Sequence, residues 1–262
     1  MTPSTGNTMR DRAAAFTRIE LMAVLFIIFV LISLVIPYGT PSVRKQALRV
    51  YCLGNLKQVG VAYQLWANDH QNRLPAAEAA SDGGWRDLLA EMNQGSNCWT
   101  NYVIMASEMG RGTRSYVCPE DERQPPLESV SPSVTNMLRS NTNVSYFVGV
   151  SANYSAPWLL LGGDRNLGRK SAPGDFGFSP MEGQGNDVAI QTNAQVDPLT
   201  WGKKMHSRGL RGAIGNVLLT DGSSRAAAGA VFREQWQPRG GDVTNWPAGH
   251  VPVVPSYRVL FP

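Results

Sequence analysis

Three histidines and three cysteines carry most of this chain's capacity for chemistry. His70, His206 and His250 show no pair at the helical spacing of a metal site. Cys52, Cys98 and Cys118 lack the C-x-x-C spacing of a zinc or redox motif. His206 with Asp164 and Asp221 is the set from which hydrolysis or metal binding could be built. Read from the residues, hydrogen-bonding of turns accounts for the set best, and no EF-hand pattern is present. The run Gly163-Asp-Arg-Asn-Leu-Gly168-Arg169-Lys170 falls short of a phosphate-binding loop. Arg169 stands where the lysine belongs, and Ser171 comes one place late. No Gly-x-Ser-x-Gly elbow occurs. The reading is therefore no enzyme, no catalytic residue and no cofactor. Trp201, Trp236, Trp246, Tyr257 and Phe261 could stack on carbohydrate, but aromatics that anchor a core explain them better.

The other chemically informative residue is Glu20, which sits early in an apolar run from Phe16 to Ile36. A helix over that run would be about 31 Å long, the thickness of a bilayer's hydrocarbon core. A carboxylate inside such a segment is costly and marks function. The run is too long for an ordinary secretory signal, and no small-x-small site follows it. Basic residues on both sides (Arg10, Arg12 and Arg18 before; Arg44, Lys45, Arg49 and Lys57 after) leave orientation open.

The remaining elements are read from pattern. Pro37, Gly39 and Pro41 break the first helix. Thr40 caps a second with Pro41 in its first turn. That helix runs to about Asn68 with an apolar stripe of Val43, Ala47, Val50, Leu56, Val59, Tyr63 and Trp66. Asp69 to Asn72 form a polar turn, and Trp85 to Met92 a short amphipathic helix. Strands are expected at Val144–Val150, Trp158–Leu161 and Asn216–Gly222, the last ending in an Asp-Gly turn, with Ser223–Val231 leading away. Residues 122–142 and 171–200 read as loops. The net charge of +4 is mild and scattered, so no nucleic acid is expected as partner. Spacing does not decide between Cys52–Cys118 and Cys98–Cys118 as a disulfide, which an oxidising compartment would permit.

Arg10-Asp-Arg12, three alanines, Phe16 and Glu20 together resemble the cleavage and methylation signal of type IV prepilins and pseudopilins. The resemblance places the cut between Ala15 and Phe16 and makes Glu20 the assembly residue, paired with a neighbouring subunit's freed amine. Further along, Cys52-Leu-Gly-Asn55-Leu-Lys-Gln, Leu74-Pro75, Cys118-Pro-Glu-Asp121, Gly163-Asp164-Arg-Asn166, His206 and Asp221-Gly222 resemble pseudopilin-like proteins of a planctomycete and verrucomicrobial type. Those carry a processing-associated His-x-Asp-Gly segment, with a shorter spacer than the one here.

The resemblance implies a Cys52–Cys118 disulfide and structural roles for Asn55, Asp164, Asn166, His206, Asp221 and Gly222, and no metal; by analogy with major pseudopilins, an oxygen-rich calcium site on Asp164 or Asp221 is the alternative. The resemblance implies an α+β fold in which a long N-terminal hydrophobic helix precedes a second helix and an antiparallel-sheet domain with long loops. The divisions are a leader (1–15), a transmembrane or filament-core helix (16–36), a break and amphipathic helix (37–75) and a periplasmic domain (76–262). The function implied is that of a structural subunit of a type II secretion or type IV pilus-like system. Its location is the inner membrane, single-pass, and its partners are prepilin peptidase, other pilin-type subunits and an assembly platform. Two alternatives remain: a tethered extracytoplasmic module that binds glycan or exported cargo, and a tethered hydrolase using His206 with Asp164 or Asp221.

Overall fold

The computed structural model describes residues 16–35, 41–87, 97–110, 113–123, 138–169, 174–179, 185–191, 199–207, 214–228 and 256–261. Ala15, Pro37, Gly39, Thr40, Trp236 and Trp246 lie outside them, and with them the leader, the expected break and the Thr40 cap. The chain divides into two units, 1–44 and 45–262.

In the first unit, helix α1 spans Arg18–Val35. This corrects the expectation of a membrane-length helix over Phe16–Ile36. With 18 residues, α1 reaches about 27 Å. Among the described residues no helix is long and apolar enough to cross a membrane. The physical reason lies at its start. Thr17 Oγ1 accepts the Glu20 N–H, while Glu20 Oε2 accepts the Thr17 N–H at 2.8 Å and its hydroxyl at 2.7 Å. That is a capping box, which begins the helix after Thr17 and leaves Phe16 outside it. Arg18 and Glu20 then occupy the first turn. The Thr-x-x-Glu signature of that cap stands in the sequence, where apolar length masked it.

Helix α2 spans Pro41–Asp69. Of its expected stripe, Leu56, Val59, Tyr63 and Trp66 are buried, whereas Val43, Ala47 and Val50 are not. The buried face instead takes in Cys52 and Asn55. The helix ends in a left-handed turn, Gln71 at φ 54° and Asn72 at φ 63°, with Asn72 N–H donating to Ala67 O at 2.8 Å. Trp85 is buried, and Arg86 and Asp87 do not begin a helix; residues 88–92 are not described. Two short helices follow, α3 (Cys98–Ile104) and α4 (Ala106–Met109).

The sheet has six strands in the order β4-β8-β1-β2-β6-β7, every pairing antiparallel. These are β1 (Tyr146–Gly149), β2 (Leu160–Asp164), β4 (Asn186–Gln191), β6 (Ile214–Leu219), β7 (Ser224–Ala228) and β8 (Ser256–Phe261). A separate two-stranded ribbon pairs β3 (Leu167–Arg169) with β5 (Leu199–Trp201). Strands β4 and β5 occupy the region read as loop, and β8 comes from a terminus that carried no motif. The antiparallel α+β domain is as expected; its strand count is higher.

One core joins α2 and α3 to the sheet through Leu56, Val59, Tyr102, Tyr146, Val148 and Leu218. A second gathers Phe147, Leu160, Trp201, Val217, Val259 and Phe261. Successive residues of β1, Tyr146 and Phe147, serve different cores because strand side chains alternate faces. Gly163 lies between β1 and β6, opposite Phe147 and Val217. A Cβ there would meet the Phe147 ring at 2.7 Å and Asn216 O at 2.8 Å. The Gly163→Ala chain should therefore lose about 1–3 kcal/mol of stability in urea unfolding; an unchanged midpoint would show that the sheet relaxes there freely.

Candidate functional site

Most of the sequence elements singled out above meet around the end of β2. Cys118 is disulfide-bonded to Cys52 of α2, the pair the resemblance implied, and Cys98 is the buried free thiol. Asn55, one turn beyond Cys52, donates from Nδ2 to the carbonyls of Arg114 and Val117, each at 3.3 Å. Cys118-Pro-Glu-Asp121 then turns tightly, with Asp121 N–H donating to Cys118 O at 2.9 Å.

That turn aims two carboxylates at neighbouring elements. Arg165 Nε donates to Asp121 Oδ2 at 2.7 Å and Nη2 to Oδ1 at 2.8 Å. The two side chains are 3% and 0% exposed, so this is a bidentate pair out of water. Desolvation alone would raise the Asp121 pKa; the hydrogen bonds and charge of Arg165 outweigh it and hold it below the usual carboxylate range. Arg165 also lies 3.6 Å over the Phe176 ring. Arg123 donates from Nη1 to Asn141 O at 2.8 Å and Val144 O at 2.6 Å. Its burial and the neighbouring Arg165 lower its pKa to about 10.

Glu120 faces His206, whose Nδ1–H donates to Oε2 at 3.0 Å. The other ring nitrogen, Nε2, is 3.3 Å from Cys118 Sγ and 3.5 Å from Asp164 Oδ2. His206 is 2% exposed and Asp164 0%. Asp164 Oδ2 accepts the Asn216 N–H of β6 at 2.7 Å. Asn166, also buried, donates from Nδ2 to Lys204 O at 3.0 Å. The loss of hydration pushes the Asp164 carboxyl up to about 8, against the Asn216 hydrogen bonds and with help from the charges of Asp121 and Glu120. Burial and Arg49 push His206 down to about 4, against Asp121.

The remaining expected residues go elsewhere. Asp221 is exposed, and its Oδ1 accepts the Ser223 N–H at 2.8 Å, forming the expected turn with Gly222 at φ 77°. It lies beyond Leu219, whose partner Leu160 opens β2, whereas Asp164 closes that strand. Asp164 and Asp221 are thus at opposite ends of one ladder. His70 stacks on Trp66, with ring centroids 3.6 Å apart. Gly163–Arg169 forms strand, turn and strand, without the helix that a phosphate loop requires. Trp201 and Phe261 are core residues. Glu120, Arg123 and Arg165 were not singled out as site residues, although each lies within two positions of one that was or of a quoted motif.

No protein family, curated protein or solved structure matches the chain. The geometry is that of a web of buried donors and acceptors in which His206 and Asp164 are closed to solvent.

The perturbed pair makes a pH prediction. A carboxyl raised from 3.8 to about 8 favours the folded state at low pH, and that contribution is lost as pH rises through 8. A histidine lowered from 6.5 to about 4 contributes above 6.5, and this is lost as pH falls through 4. The trends oppose each other below 6.5; above it only that of Asp164 remains. Thermal unfolding should show Tm falling from pH 6.5 to 8.5 in the parent chain and falling less in Asp164→Asn. Parallel profiles would refute the assignment.

Proposed function

We propose that this chain is a pseudopilin-like structural subunit of a type II secretion or type IV pilus-like machine, cut before Phe16 by a prepilin peptidase and assembled through α1. The observation that carries this reading is the surface of α1. Residues 21–28 are all apolar, and Leu21, Met22, Leu25, Phe26, Ile27 and Ile28 are each 45–72% exposed. Eight such residues in succession leave no polar face on a helix of 3.6 residues per turn. Apolar surface stabilises by about 25 cal/mol per Å² when removed from water, so a helix of this kind is built to be covered. In the proposed assembly other subunits' α1 helices cover it. The disulfide supports an extracytoplasmic domain, because such bonds persist in oxidising compartments. The burial of His206 and Asp164 favours this over a hydrolase, whose substrate would have to reach them.

Glu20 then has two roles to separate, capping α1 and pairing with a neighbouring subunit's amine at Phe16. Glutamine also completes a capping box but carries no charge. Glu20→Gln should therefore leave the domain's Tm unchanged and abolish incorporation into filaments or cross-linked oligomers in cells. Mass measurement of the native protein should show a methylated Phe16 start. Normal assembly of Glu20→Gln, or an intact Met1, would overturn the reading.

A further inference from the structure

The disulfide brings to His206 more than a covalent strut. Cys52 Sγ, Cys118 Sγ and a ring nitrogen of His206 lie within 4.8 Å of one another, all three residues buried. Asp164 Oδ2 adds a fourth donor atom, 3.5 Å from His206 Nε2. Two sulfurs, a nitrogen and an oxygen are a donor set that suits Zn²⁺.

The spacing fits as well. In a tetrahedron with Zn–S of about 2.3 Å and Zn–N or Zn–O of about 2.0–2.2 Å, neighbouring S and N atoms stand roughly 3.5 Å apart and N and O roughly 3.4 Å. The observed Cys118 Sγ–His206 Nε2 separation is 3.3 Å and the His206 Nε2–Asp164 Oδ2 separation 3.5 Å. The two sulfurs, joined in the disulfide, have to part. The far side of the ring is an independent indication. His206 Nδ1–H donates to Glu120 Oε2 at 3.0 Å, which fixes the tautomer with the Nε2 lone pair facing the sulfur and Asp164. Metal-binding histidines are oriented by such a carboxylate.

We propose that the chain whose Cys52 and Cys118 are free thiols binds one Zn²⁺ through Cys52 Sγ, Cys118 Sγ, His206 Nε2 and Asp164 Oδ2, with Glu120 positioning the imidazole. A newly made chain begins in this dithiol form, so no reductant is required. Binding releases the two thiol protons, and the Asp164 proton where present, to water. A disulfide-carrying oxidant of the oxidising compartment takes up the two electrons as its own disulfide is reduced to a dithiol; the new Cys52–Cys118 bond removes both thiolate ligands, so the disulfide form does not hold the ion. The zinc form keeps α2, the Cys118–Asp121 turn and β2 in register before the bond exists.

The test uses the full chain and Co²⁺ as a coloured substitute for Zn²⁺. A phosphine cleaves the disulfide and leaves as its oxide; a mass gain of two hydrogens verifies completion. The expected result is one equivalent of Co²⁺ with tetrahedral visible bands and thiolate charge transfer, displaced by Zn²⁺, and neither feature in the disulfide form. His206→Ala should lose the tetrahedral bands, and Glu120→Gln should bind about 10–100-fold more weakly. If the reduced chain unfolds, Zn²⁺ should restore its near-ultraviolet circular dichroism. A folded reduced chain without the bands, bands unchanged by His206→Ala, or an unfolded reduced chain that Zn²⁺ does not restore would each overturn the proposal.

Discussion

A buried carboxylate–guanidinium pair makes the rest of the domain's polar architecture possible. Arg165 donates two hydrogen bonds to Asp121 almost wholly out of water. Moving both charges from solvent costs several kcal/mol each, and only near-ideal geometry offsets it. That geometry requires the Cys118–Asp121 turn and the end of β2 to be held in one register. The Cys52–Cys118 bond and the Asn55 hydrogen bonds fix the first of these to α2. The Asn216 N–H to Asp164 and the β2–β6 ladder fix the second. Glu120 and Asp121 leave the same turn, and Asp164 and Arg165 follow one another along the chain. One constraint therefore aligns two pairs, Asp121 with Arg165 and Glu120 with His206.

The same arrangement explains why His206 and Asp164, residue types that often do catalysis, are closed to solvent. A general base must touch the proton it removes, and His206 is enclosed by Glu120, Cys118 and Asp164. Its low pKa follows from enclosure. What the cluster shows is packing and hydrogen bonding out of water.

Much of this was legible in the residue pattern, for identifiable reasons. The turn at Asp221-Gly222 follows from local chemistry, a short side chain accepting a nearby N–H and a glycine at positive φ, and it appears as read. Helix α2 announced itself through Pro41 and the Leu56–Trp66 spacing. The positions Val43, Ala47 and Val50, which are not buried, were misread because periodicity does not say where a partner surface begins. Strands β4 and β8 were missed because they pair only with distant segments, and short runs such as Asn186–Gln191 carry little local signal. The meeting of Glu120 with His206 joins residues far apart in the chain. At α1 apolar length outweighed the Thr17–Glu20 cap, and the helix proved shorter than the run that suggested it.

The central claim is energetic coupling between Asp121 and Arg165, and a double-mutant cycle measures it. Asp121→Ala, Arg165→Ala and the double variant would be unfolded in urea beside the parent chain. Each single change should cost about 3–5 kcal/mol, because it strands a buried charge, and the double change little more than either. Single costs that simply add in the double variant would contradict the account.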